Sequence, residues 1–274
     1  MAIASVRPAA VAGQFYPADD LVLRTQIGEM LSSAVPLNVV YAPKAIVVPH
    51  AGYIYSGPVA ASAFAAVAPL RREISRVVLL GPAHRMAVDG FALPAAQSFA
   101  TPLGEVRLSR PDWLTLQDHP GVVVDDRPHA FEHCLEVQLP FLQTVLESFE
   151  LVPLLVGNAS SEDTAALLET LWGGHETLVV ISSDLSHYHP YRQAQTCDRA
   201  TIEQVLSLHG TVEHDQACGA TPLNGLIRVA RRHHLQPHLL DLRNSGDTAG
   251  DRSRVVGYAS VAFCDQIPDA ALHH

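Results

Sequence analysis

Apolar residues along the chain fall into two alternating patterns. Short, nearly continuous runs at Lys44–Pro49, Arg76–Gly81, Glu150–Gly157, Thr177–Ser182, Gln236–Arg243 and Arg254–Phe263, rich in β-branched residues, predict strands covered on both faces. Between them, amphipathic stretches predict helices over Leu21–Ala34, Pro58–Val67, Leu135–Phe149, Glu162–Trp172, Tyr191–Leu208 and Pro222–His233. This alternation predicts one α/β domain over residues 1–274, with a central mixed, mostly parallel sheet flanked by helices. A weaker alternation in Phe91–Leu108, broken by Pro94, Pro102 and Gly104, predicts an antiparallel hairpin appended to that sheet. Pro, Asp and His punctuate Arg110–His133, which predicts a short helix around Trp113–Gln117 and then a loop. Ala9–Pro17 and Gln266–His274 are expected to wrap or fray, and no internal repeat or linker is visible.

Composition narrows the function. With 48% hydrophobic and 17% charged residues among 274, there is material for one large core or two modest ones. The apolar runs are far shorter than the roughly 20 residues of a membrane span, so no membrane contact is expected. The first residues lack a basic start followed by a long apolar run, so no secretory signal is expected and the cytoplasm is the expected compartment. A net charge of −10 without a Lys/Arg cluster argues against nucleic acid as a partner. The four cysteines form no C-x-x-C pair, which argues against a zinc ribbon, a thioredoxin-like dithiol or a disulfide framework. Fifteen histidines, several at the ends of apolar runs, turn attention to metal or proton chemistry.

Three of the expected strands run straight into His or Asp: Val47 to Tyr53 through His50, Leu79 to His84, and Ile181 to His187 through Asp184. Ligands of open α/β sheets collect beyond the carboxyl ends of the strands, so these three segments converge on one crevice. Two imidazoles begin a transition-metal site, and a third, anionic ligand is normally wanted. Asp184, Glu136 and a thiolate are the candidates. Cys218, in a Gly-containing loop before an expected helix, is where a helix N-terminus would favour the thiolate. Each feature also has an ordinary reading: a hydrogen-bonded His, a small buried Cys, and an N-cap at Ser182–Asp184.

In order along the chain come Arg7-Pro8, Gly13 to Pro17, Pro49-His50-Ala51-Gly52-Tyr53, Gly81-Pro82-Ala83-His84, Glu132 to Phe141, Ser182 to Tyr188, Ala217-Cys218-Gly219, Asn244 to Asp247 and Val256 to Ser260. Taken together they resemble the Memo family, in bacteria often labelled AmmeMemoRadiSam system protein B, over nearly the whole chain. The resemblance implies a fold similar to class III extradiol dioxygenases, which hold iron(II) on two His and a carboxylate. It places the metal imidazoles at His50 and His84, a cysteine at Cys218 in place of the carboxylate, Asp184 beside the metal and His187 at the acid/base position. It suggests pocket or supporting roles for His133 and Glu136, although Glu136 equally suits the first turn of a helix. Tyr53 and Tyr188 are expected either to wall the pocket or to lie in the core.

A His-His-Cys set favours iron or copper and tolerates zinc, and a thiolate is itself oxidisable, so catechol cleavage does not follow from the fold. Cys134 stands where the family usually has Ser, leaving open a further ligand, a disulfide with Cys218, or no role. Two functions compete at this point. One is a metal-dependent, dioxygenase-like oxidoreductase acting on a small molecule, with His187 held by Asp184 to move a proton. The other is a non-catalytic binding or scaffold protein using the same pocket for a peptide, cofactor or metal. A hydrolase is weaker, since no G-x-S-x-G elbow is present. The family label implies association with an AMMECR-like protein and a radical SAM protein.

Overall fold

The computed structural model describes residues 5–35 and 42–265, so the tail Gln266–His274 lies outside the described residues. Its strands are β1 (Val6–Arg7), β2 (Pro43–Val48), β3 (Arg76–Pro82), β4 (Phe91–Leu93), β5 (Ser98–Thr101), β6 (Gly104–Arg107), β7 (Val122–Val124), β8 (Glu150–Val156), β9 (Thr177–Ser182), β10 (His187–His189), β11 (Gln236–Asn244) and β12 (Val255–Cys264). Nine of them form one sheet in the order β10-β12-β2-β9-β3-β8-β4-β7, with β11 also on β12. The centre, β2-β9-β3-β8, is parallel. Both flanks are antiparallel, through β12 on β2 at one side and β4 on β8 at the other.

The central strands read as unbroken apolar runs because both of their faces are covered. Ile46, Val48, Val77, Leu79, Leu178 and Val180 enter the core on one face. Their neighbours Ala45, Val47, Val78, Leu80, Val179 and Ile181 enter the core on the other. Helices Asp20–Ser33, Tyr53–Val67 and Leu139–Val145 cover the first face. Helices Ser161–Leu171, Tyr191–Ser207 and Ala220–Arg232 cover the second. Local chemistry fixes the starts: Asp19 accepts from the Val22 amide, and Ser160 with Asp163 forms a reciprocal capping box. The result is one α/β domain.

Several elements differ from the sequence reading, among them β7, which pairs with β4 inside the stretch expected to be a loop. Phe91–Leu108 is not a single hairpin on the main sheet: β4 joins it, whereas β5 and β6 pair with each other and with β1 in a separate three-stranded sheet. Pro94 directly follows β4 and offers no N–H to continue a ladder, and Gly104, at φ +117°, turns β5 into β6. Leu135–Phe149 splits into a 3-10 turn, Glu136–Gln138, and the helix Leu139–Val145, with Pro140 in the first turn of the latter. The helix expected from Pro58 begins instead at Tyr53, because the Gly52 carbonyl accepts from the amides of Tyr55 and Ser56. Tyr53–Leu70 is the one stretch among the described residues long and apolar enough to cross a membrane, and more than half of it is buried against the sheet.

Candidate metal centre

Because β2, β3 and β9 run parallel, their carboxyl ends open on the same side, and the segments leaving those ends are set side by side. The Ser183 amide donates to the Val48 carbonyl at 2.8 Å, carrying the β2–β9 alignment past the strands to His50 and Asp184. One ring nitrogen from each of His50, His84 and His133 lies within 4.8 Å of the others, so these three imidazoles could hold a metal ion. Their ring centroids are 5.0 to 5.4 Å apart, with His50 edge-on to the other two.

The hydrogen bonds around these rings decide which nitrogens face inward. Ser182 Oγ donates its single proton to the Cys134 carbonyl at 2.7 Å, so it can only accept from Gln138 Nε2 and from His50 Nδ1, each at 2.9 Å. His50 therefore carries its proton on Nδ1 and presents Nε2 as an acceptor. The Gln138 amide orientation is fixed in turn by its second proton, given to the Pro49 carbonyl at 2.9 Å. For His84, Nδ1 lies 3.0 Å from Glu132 Oε1 and the backbone amide donates to Oε2 at 2.6 Å. His133 Nδ1 also stands 3.0 Å from Glu132 Oε1, but off the line of a hydrogen bond. A carboxylate or hydroxyl on the outer nitrogen is how metal-binding imidazoles are held.

Electrostatics suit this arrangement. Burial, reinforced by His84 and His133, pushes His50 well below its usual value and keeps it neutral, the form that ligates. Burial alone would raise Glu132, yet the His133 and His84 side chains and the His84 amide hold it well below the usual carboxylate range. It stays an anion and accepts throughout.

Cys218 Sγ lies 3.3 Å from His50 Nε2, so the thiol joins the cluster through that imidazole. The loop is pressed against β9: a Cβ on Gly219 would stand 2.7 Å from Ser183 Cβ, and the Gly219 amide donates to Ser183 Oγ at 2.9 Å. The thiolate favoured by a helix start is not what this environment produces. Burial, with the Asp184 charge adding to it, pushes the thiol up to about 12 and outweighs the nearby amides. A metal ion beside Sγ would favour the thiolate that burial opposes.

Asp184 is buried, which raises its carboxyl, and it accepts from the His50 amide at 2.7 Å. Among the described residues no hydrogen bond joins it to His187, because its side chain faces the turn after β2. His187 lines the cavity above the imidazoles together with Phe15, Tyr55, Tyr188, Arg254 and Tyr258, and that cavity measures about 620 Å³. Tyr188 stands at its mouth, whereas Tyr53 is a core residue whose hydroxyl donates to the Val137 carbonyl at 2.7 Å.

Glu136 lies away from this cavity. It is fully buried, ion-paired with Arg7, and accepts from the Ala10 and Val11 amides and the Tyr16 hydroxyl. Arg7 also donates to the carbonyls of His129 and Glu132, so the pair ties the amino-terminal segment to the loop bearing Glu132 and His133. All four cysteines are free, and Cys134 Sγ donates to the Pro82 carbonyl at 3.2 Å. Glu132, Ser182 and Gln138 escaped the sequence reading as supports of the imidazoles. The signal for Glu132 was its place directly before His133.

The donor set fits a transition metal: neutral imidazoles with fixed outer nitrogens, and a thiol in reach. A family model described as Memo-like protein matches residues 7–262. A MEMO1 family protein of Sulfolobus acidocaldarius is 35% identical, covering 95% of this chain and all of its own. Its counterpart in Aquifex aeolicus is 35% identical over 94% of this chain and 99% of its own. An uncharacterized protein from Escherichia coli K12, of solved structure, matches at TM-score 0.52 and 14% identity over 79% of this chain and 98% of that one, a likeness of fold alone. Because the match starts at the Arg7 that braces the Glu132 loop and runs into β12, the chain belongs to the Memo-like protein family.

Proposed function

We propose that the protein is a metal-dependent oxidoreductase of dioxygenase-like shape acting on a small organic molecule. His50, His84 and His133 would hold the ion, with Cys218 as the softer donor beside His50. The observation that carries this reading is the use of the outer nitrogens of His50 and His84 on Ser182 and Glu132, which commits the inner ones to the cavity. Iron(II) or copper suits this mixed nitrogen and sulfur set, with zinc tolerated. When bound, such an ion supplies one-electron redox chemistry and Lewis acidity.

The rest is the work of the chain. Phe15, its ring centre 4.7 Å from that of His133, and the tyrosines of the wall orient a planar substrate against the imidazoles. His187 reaches the same space and is placed to hold or move a proton. Asp184 fixes the His50 backbone.

Elemental analysis of anaerobically purified protein, beside Cys218→Ser and His50→Ala, tests the site, and O₂ uptake on the loaded protein tests turnover. Stoichiometric iron or copper that falls in both variants supports the reading; no metal under reducing conditions overturns it. A non-catalytic binding role is favoured by the open mouth, where Tyr188 is 61% exposed. Metal without any O₂ uptake across a substrate panel would select it.

A further inference from the structure

The mouth of the cavity carries an arginine that neither the imidazoles nor His187 uses. β10 pairs with β12 through His187 opposite Val256 and His189 opposite Val255, and the register shifts between them, so Tyr188 is the extra residue of a bulge. Its φ of +62° lies in the left-handed region, which a bulky side chain seldom adopts. Successive residues of a regular strand point to opposite faces. The bulge lets His187 and Tyr188 line the same cavity.

Arg254, just before β12, lies over the Tyr188 ring with its guanidinium carbon 5.1 Å from the centroid, and it too lines the cavity. Among the described residues it has no ion-pair or hydrogen-bond partner, and it is the only Lys or Arg of that lining. Nearby Arg252 makes a useful contrast: it lies over Tyr191 at 4.5 Å, but its Nε donates to the Gly246 carbonyl at 3.2 Å. The carboxylates of the lining are Asp184, occupied by the His50 amide, and Asp251, which accepts from the Ser253 amide at 2.6 Å. An unpaired guanidinium held over a ring, in a chain of net charge −10, is a poised anion receptor.

The geometry points to Arg254 as a specificity-determining residue that takes the carboxylate of a small organic acid, the rest of which lies between the aromatic walls and the imidazoles. Its planar fork matches a carboxylate with two parallel N–H···O bonds. This rests on the reading of the cavity as a substrate pocket.

Titration calorimetry with 4-hydroxybenzoate and 4-hydroxybenzamide, alike in shape but not in charge, tests it on the wild type, Arg254→Gln and Arg254→Lys. Metal content is measured on the same preparations. We expect the wild type to favour the acid by roughly tenfold or more. Arg254→Gln should lose that preference with amide affinity unchanged, and Arg254→Lys should regain part of it. Equal binding of both probes, acid preference surviving in Arg254→Gln, or no acid binding at millimolar concentration overturns the assignment. Acid preference that depends on Arg254 in protein that holds no metal would sustain Arg254 and defeat the metalloenzyme reading, so the two failures are distinguishable.

Discussion

Glu132 governs the site through five hydrogen bonds: to the ring and amide of His84 and to the amides of Arg85, His133 and Cys134. Glu132→Gln keeps its shape but replaces one acceptor oxygen with a donor. Metal affinity is expected to fall about tenfold to a hundredfold, read by competition with a chelating dye. An unchanged affinity would remove Glu132 from the support of His84. His50, His84 and Asp184 were legible in the sequence because each comes just after a strand, and strand direction alone brings them together. Glu136 was read as the supporting carboxylate, and Glu132 holds that place instead. Both are buried glutamates, one in the loop before His133 and one opening the 3-10 turn after it, and which one meets the imidazoles depends on how that stretch turns, a three-dimensional fact that spacing does not encode.

At the level of elements, the ends of β2, β3 and β9 must approach each other without obstruction. At Gly81 an added Cβ would lie 2.7 Å from Cys134 Sγ and 3.0 Å from Leu135 Cδ2. Gly81→Ala is expected to cost about 1–3 kcal/mol in urea unfolding and to weaken metal binding by displacing the turn to His84. Cys134→Ala introduced with it should restore part of both, a coupling that two independent sites would not show. The Arg7–Glu136 pair holds the amino-terminal segment. Arg7→Met leaves a buried, unpaired carboxylate, and a loss of about 3–5 kcal/mol is expected from the urea midpoint. The six long strands and most helices were legible from periodicity, whereas β7 and β10, three residues each, were not. The separate sheet of β1, β5 and β6 was not, since β1 is only two residues long and carries no pattern of its own.

Across the whole molecule, acid should loosen the fold through His129. Burial holds its imidazole down to about 4 from 6.5, with Nε2 donating to the Ala92 carbonyl at 3.0 Å. Between those values the unfolded chain takes up a proton that the folded chain refuses. Its contribution is therefore complete above about pH 6.5 and is lost as pH falls toward 4, by about 3 kcal/mol. Urea titrations at about pH 7 and pH 4.5 on the wild type and His129→Gln check this, and equal pH slopes in the two proteins would exclude His129 as the source.

The bond from Arg7 to the loop at Glu132 also bears on the order of assembly. A ribosome delivers Arg7 some 120 residues before the carbonyls and carboxylate that receive it. Until that loop emerges, the Arg7 guanidinium lacks the carboxylate and carbonyls that receive it, and Phe15 cannot reach His133. During synthesis the imidazole cluster is thus completed late, which leaves an interval in which the nascent chain exposes its histidines to whatever ions are present and gives chaperones or proteases their access.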